Sequence, residues 1–159
     1  AGRIGEAVAR RAEAGFGMTV LRVGRGDDLR PALARADFVS LHVPLSEETR
    51  GLVDDSFLAA MQPTAYLVNT ARGAVVDQDA LARALHGGRI AGAALDVTDP
   101  EPLPPDHPLL GAPNVLVLPH LGSATHATRE RMADLAVDNL LAGLAGRPLP
   151  HAFGSIPAP

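Results

Sequence analysis

The chain contains no cysteine and no tryptophan, and its aromatic residues are one tyrosine and four phenylalanines. Without cysteine there is no disulfide, no thiolate metal site and no cysteine nucleophile. The six histidines show neither the H-x3-H nor the H-E-x-x-H spacing that puts two ligands on one helical face, so no metal is expected. No apolar run approaches the roughly 18 residues of a membrane-spanning helix. A basic surplus is also lacking: 14 Lys+Arg, with arginine dominating, stand against 18 Asp+Glu, for a formal net charge of −4. That balance leaves no electrostatic footprint for nucleic acid. The first residues read as charged helix rather than as a signal sequence. Nucleic acid and membrane are therefore not expected partners, and the expected compartment is the cytoplasm. No internal repeat is visible.

What is present suits one domain with a real core: 159 residues, 47% hydrophobic and 20% charged. Residues 65–120 organise it. Three short apolar runs end in polar residues there: 65–68 before Asn69, Thr70, Ala71 and Arg72; 91–95 before Asp96; and 115–118 before Pro119 and His120. Between the first two runs lies a helical pattern, Ala80, Leu81, Ala84 and Leu85, closed by Gly87 and Gly88. Short apolar strands alternating with helices predict βαβ units of a parallel sheet. Ligands of such sheets sit outside the carboxyl ends of the strands. Arg72, Asp96, Glu101 and His120 lie at or just past those ends. A cation, a carboxylate and an imidazole converging on one edge form a candidate active site.

The stretches NTARGAVVD, AALDVTDPEPLPPDHPLL and LPHLGSATH resemble the nucleotide-binding domain of the D-isomer-specific 2-hydroxyacid dehydrogenases. Their wording is most similar to glyoxylate/hydroxypyruvate reductases. The resemblance covers residues 1–150 and rests on three ordered motifs. It implies an α/β fold, a doubly wound parallel sheet of the Rossmann type. In this chain that sheet is expected to lack its first strand, which would precede residue 1, and a third strand, because about a dozen residues are missing after Arg25. Residues 151–159 are expected to be a tail. The separate substrate domain of the family is expected to be absent from this chain, and the chain alone is expected to have little or no reductase activity. The resemblance also implies a homodimer.

Taken in order, a helix is predicted from Gly2 to about Ala14 with Gly15 as its stop, followed by a strand at residues 18–23. The Gly2-x-x-Gly5 pair is the remainder of a dinucleotide fingerprint. Gly2 allows close backbone approach to a pyrophosphate, and the amides of Arg3 and Ile4 face it from the helix N-terminus. NAD-specific sites place an acid at the end of the second strand. Here Gly24 and Arg25 stand in its place, and an arginine favours a 2′-phosphate. NADP(H) is therefore expected as the preferred cofactor, with NAD(H) possible, since Asp27 and Asp28 follow closely and offer acids. A strand at 37–43 is ended by Pro44, and a helix at 55–61 has Asp54 as N-cap. His42, in an apolar run, reads as packed or cofactor-adjacent, and His86 and His107 as surface positions. Ser123 is the expected N-cap of a long helix to Leu144, with His126 in its first turn. Ala133, Val137, Leu140, Leu141 and Leu144 form its apolar face. Gly146 and Pro148 end it.

Reducing a small 2-keto acid to its 2-hydroxy acid requires a fixed cation for the carboxylate, a proton donor for the carbonyl oxygen, and a partner for that donor. An arginine fork binds a carboxylate in bidentate fashion, which suits Arg72. Histidine exchanges protons near neutrality, which suits His120. A carboxylate against an imidazole fixes its tautomer and favours the imidazolium, which suits Glu101. The resemblance implies the same three roles. It further places Asp96 at the nicotinamide carboxamide, Thr70, Gly122 and the Pro44 loop along the cofactor, and Ser123 at the substrate. A non-catalytic dinucleotide-binding or dimerising module, or an inactive fragment of such an enzyme, is the alternative reading.

Overall fold

The computed structural model describes residues 2–152, and the chain divides after His120 into two units. The first unit contains helix α1 (Arg3–Phe16), helix α2 (Arg30–Leu33), strand β1 (Phe38–Leu41), helix α3 (Asp55–Ala60), strand β2 (Tyr66–Asn69), helix α4 (Gln78–His86), strand β3 (Gly92–Leu95) and strand β4 (Val115–Val117). The four strands form one sheet in sequence order, every pair parallel. The register sets Leu41 beside Asn69, Asn69 beside Leu95 and Leu95 beside Val117. The strands therefore end in a common row, and whatever follows them emerges along one edge. This is a Rossmann-type arrangement, as the sequence predicts.

Alternation along the strands decides which face is covered. Leu41, Leu67, Ala93 and Leu95 point to one side and are buried. They share an apolar cluster with Leu58 of α3 and with Leu81 and Leu85 of α4. Each fully buried leucine contributes about 1.5–3 kcal/mol of transfer free energy. The opposite side carries Phe38 and Tyr66, both exposed, with their rings stacked at 5.7 Å between centroids. Among the described residues no helix is long and apolar enough to cross a membrane.

Local chemistry starts the helices. Asp77 caps α4 by accepting from the Ala80 N–H at 2.9 Å. Asp54 caps α3, as predicted. Its Oδ1 accepts from the Phe57 N–H and from the Ser56 hydroxyl, both at 2.8 Å. These bonds, the Phe57 N–H foremost, hold the Asp54 carboxyl below its ordinary range. A depressed carboxyl contributes stability above its unfolded pKa of about 3.9 and loses it as pH falls through the folded value. Asp54→Ala is therefore expected to cost about 1 kcal/mol at pH 7. In urea titrations the gap between variant and parent should narrow as pH falls through the folded value; a gap independent of pH would mean the cap does not act through its charge.

Three expectations for the first half need correction. Residues 18–23 form no strand: a strand needs a neighbour for its N–H and C=O groups, and no described residue supplies a ladder. Instead Arg22 ties the segment to α1, donating to Glu6 at 3.1 Å and to Glu13 at 2.9 Å. Helix α1 does not stop at Gly15. It runs to Phe16 and closes at Gly17, which takes a left-handed φ of 64°, a conformation that favours glycine. His107 is no surface position; its side chain is 15% exposed, and its Nδ1 accepts from the Leu109 N–H at 3.2 Å.

The second unit is built on α5 (His126–Leu144). His126 opens the helix, as expected, but the N-cap is Thr125 rather than Ser123: the Thr125 hydroxyl accepts from the Thr128 N–H at 3.2 Å. The predicted apolar face is not buried. Val137, Leu140, Leu141 and Leu144 are exposed, and Ala142 is the buried residue of this helix. His151 is bonded through both backbone groups to the Asn139 side chain. The rest of the expected tail, residues 153–159, lies outside the described residues.

Candidate active site

The edge where the strands end gathers three loops. The first follows β2. Asn69, fully buried, turns the chain there: its Oδ1 accepts from the Ala71 N–H at 3.0 Å and its Nδ2 donates to the Arg72 carbonyl at 2.9 Å. One side chain thus replaces the ladder partners that the backbone loses on leaving the sheet. Arg72 itself is exposed, with Nη1 donating to the Ala71 carbonyl at 2.6 Å. Gly73 follows, packed so tightly that an added Cβ would lie 2.0 Å from the carbonyl carbon and oxygen of Thr98. The Arg72 loop therefore rests directly on the backbone of the second loop.

That second loop follows β3 and carries Glu101. Gln78, the first residue of α4 and buried, pins it. The Gln78 Nε2 donates to the Asp99 carbonyl, and its Oε1 accepts from the Asp99 N–H at 3.1 Å. The Thr98 hydroxyl donates to the Pro100 carbonyl at 2.9 Å. The third loop follows β4 and carries His120. Its Nδ1 stands 2.8 Å from Glu101 Oε1, with the two side chains 48% and 40% exposed. A carboxylate only accepts, so Nδ1 is the donor and Nε2 is left to exchange a proton. His120 has a left-handed φ of 55°. Non-glycine residues seldom adopt that conformation, and when they do it is worth asking what it serves; here it accompanies the contact with Glu101.

The residues expected along a cofactor are distributed as follows. Gly2 precedes α1 as an N-cap with no side-chain cap, and Arg3 and Ile4 form its exposed first turn. Gly24 closes a short turn, its N–H donating to Asp27 Oδ2 at 2.7 Å, while Asp28 Oδ1 accepts from the Arg30 N–H at 3.1 Å. Arg25 extends from this turn, 83% exposed, and pairs with Glu48 at 2.8 Å. The Pro44 carbonyl accepts from the Thr49 hydroxyl at 2.6 Å. Thr70 is exposed and Asp96 is buried; the Asp96 N–H donates to the Asn69 carbonyl at 2.9 Å. His42 contacts the Ser40 hydroxyl at 2.9 Å, and burial pushes its imidazole down, which suits a packed neutral ring. Gly122 and Ser123 belong to the second unit. The structure thus joins Glu101 to His120 and seats the Arg72 loop on the loop leading to Glu101. The sequence reading missed Asn69, Gly73 and Gln78 as the parts that hold these loops.

A parallel sheet whose carboxyl edge presents an arginine, a glutamate–histidine pair and a buried aspartate defines a Rossmann-type NAD(P)-binding domain. Comparison with known proteins agrees: residues 1–122 match the family model described as D-isomer specific 2-hydroxyacid dehydrogenase, NAD binding domain. The chain belongs to that family. It is 52% identical to glyoxylate/hydroxypyruvate reductase B of Pectobacterium carotovorum over 91% of this chain and 49% of that protein. A solved protein of Thermus thermophilus superposes with a TM-score of 0.86 at 53% identity, covering 94% of this chain and 50% of its own. An NADPH-dependent glyoxylate/hydroxypyruvate reductase of Sinorhizobium meliloti, solved with NADP and malonate, gives 0.79 at 42% identity, covering 91% and 48%. The chain spans about half the length of the curated relatives it matches.

Proposed function

We propose that the chain is the cofactor-binding and proton-donating part of a reductase that converts a small 2-keto acid, glyoxylate or hydroxypyruvate, into the D-2-hydroxy acid with NADPH. The observation that carries the reading is the 2.8 Å contact between His120 Nδ1 and Glu101 at the edge that also bears Arg72. Glu101 holds the ring so that Nε2 delivers the proton to the carbonyl oxygen as negative charge develops there. Arg72 binds the substrate carboxylate through its guanidinium fork. Ser123 contributes to substrate binding, as the family resemblance implies. The relatives' names support the substrate class.

The residues present fit a dinucleotide. Among the described residues the α1 N-terminus is capped by a glycine with no side-chain cap on its amides, and no described residue beyond its chain neighbours lies within 4 Å of where a Gly2 Cβ would stand. Free first-turn amides at the positive end of a helix suit a pyrophosphate. Gly2, Arg3 and Ile4 would hold it there, and Asp96, Thr70, Pro44 and Gly122 would lie along the remainder. When bound, the reduced nicotinamide supplies the hydride. The preference for NADPH follows from Arg25. Asp27 and Asp28 each accept from a backbone amide of their own turn through one carboxylate oxygen, which ties both acids to that turn. Among the described residues Arg25 is held by an exposed pair with Glu48, worth at most about 1 kcal/mol, which a phosphate readily displaces.

Calorimetric titration of the purified chain with NADPH and NADH tests this. NADPH should bind at least about tenfold more tightly. Arg25→Ala should remove about that factor for NADPH alone, since a charge-assisted contact is worth about 1.5–3 kcal/mol. Equal affinities would overturn the NADPH preference, and no binding of either would overturn the cofactor site. Binding without turnover, even when the chain is joined to the remaining half of the Pectobacterium carotovorum reductase's length, would favour the non-catalytic module.

A further inference from the structure

Resting on the reading above, we propose that Gln78 is a positioning residue for the Glu101–His120 pair, acting through the Asp99 peptide. Gln78 lies 21 residues from Asp99 on a different element, yet its amide meets both backbone groups of that residue. A glutamine amide presents one donor and one acceptor at a fixed spacing. Here it matches the N–H and C=O of Asp99 as a neighbouring strand would. Glu101 is two residues further on, in a loop that has left the sheet and has no ladder of its own. From the other side Gly73 abuts Thr98 and Asp99. The start of the loop is therefore clamped between α4 and the Arg72 turn, and the exposed Glu101 carboxylate inherits its position from that clamp. An exposed carboxylate and imidazole in contact hold each other only weakly, so the 2.8 Å geometry depends on the backbone beneath them. Gln78 touches neither substrate nor reacting atoms; its effect passes through Glu101 to the tautomer of His120.

The test is nitrogen-15 NMR of the His120 ring in the purified chain at alkaline pH, where the neutral ring reports its tautomer. The parent chain should show the Nδ1–H form. Gln78→Met keeps length and helix propensity but removes both hydrogen bonds, and should lose that signature while the amide spectrum elsewhere keeps its dispersion. Gln78→Glu retains the acceptor for the Asp99 N–H and loses the donor, and should fall between the two. A ring that keeps the Nδ1–H form in a folded Gln78→Met chain overturns the proposal. Unfolding of both variants also overturns it, since Gln78 would then serve folding rather than positioning. A graded loss of the signature, alongside no turnover when the chain is joined to the remaining half of the Pectobacterium carotovorum reductase's length, would leave the clamp standing and remove the proposed function instead.

Discussion

His120→Asn lowers kcat for glyoxylate reduction by about 10²–10⁴, with the Kd for NADPH unchanged within a factor of about two. The measurement belongs in a full-length protein that pairs this chain with the remaining half of the Pectobacterium carotovorum reductase's length. The size follows from the role: without Nε2 at the edge, the carbonyl oxygen must take its proton from water as charge develops. Asparagine is chosen on structural grounds. His120 sits at φ 55°, and asparagine is among the few side chains that accept the left-handed region readily. The substitution therefore removes the imidazole without adding backbone strain. The ring is half exposed, so little packing is lost and the melting temperature should stay within about a degree or two. A variant that keeps a tenth or more of the parent kcat would show that His120 is not the proton donor. Unchanged cofactor affinity separates loss of chemistry from collapse of the loop.

The placement of the candidate site was readable in the sequence as far as it rests on local pattern. Arg72, Glu101 and His120 each follow an apolar run, and a parallel sheet sends everything after such runs to one edge. Asp54 was readable for the same reason, since a cap is a bond between residues three apart. The failures lie where the deciding partner is distant or absent. Residues 18–23 carry a strand's composition, but a strand exists only with a neighbour. Ser123 and Thr125 are both competent caps two residues apart; which one wins depends on where the chain turns, and the hydroxyl that meets the Thr128 N–H is Thr125's. Gly15 and Gly17 differ only in the sign of φ each must adopt. The loop supports were illegible for a further reason. Gly73 and Gln78 stand in the motif and in the helix after it, but their partners, Thr98 and Asp99, lie more than twenty residues on, and no periodicity marks an amide that replaces a strand. The Asn69 side chain bonds two and three residues ahead, but nothing in the pattern separates it from any other asparagine after a strand.

Gly73→Ala should be the most destabilising small substitution at this edge, costing about 3 kcal/mol or more, read as a shift of the urea midpoint with the slope unchanged. The cost is steric rather than torsional. Gly73 does not occupy the left-handed region, so alanine suits its backbone, yet the new methyl would lie 2.0 Å from two carbonyl atoms of Thr98 and 2.6 Å from the Asp99 amide nitrogen. All three are backbone atoms, and no rotamer can move them aside. Either the turn after Asn69 lifts, breaking the bonds that Asn69 makes to Ala71 and Arg72, or the Thr98 and Asp99 backbone retreats against the Gln78 clamp. Both movements act on the site, because the first carries Arg72 and the second carries Glu101. A loss of about 3 kcal/mol is a large share of the roughly 5–15 kcal/mol that holds a domain. Any folded fraction should also have lost the His120 Nδ1–H signature. A variant within about 1 kcal/mol of the parent, with its ring signature intact, would mean that the two loops do not touch as described and that Arg72 and Glu101 are positioned independently.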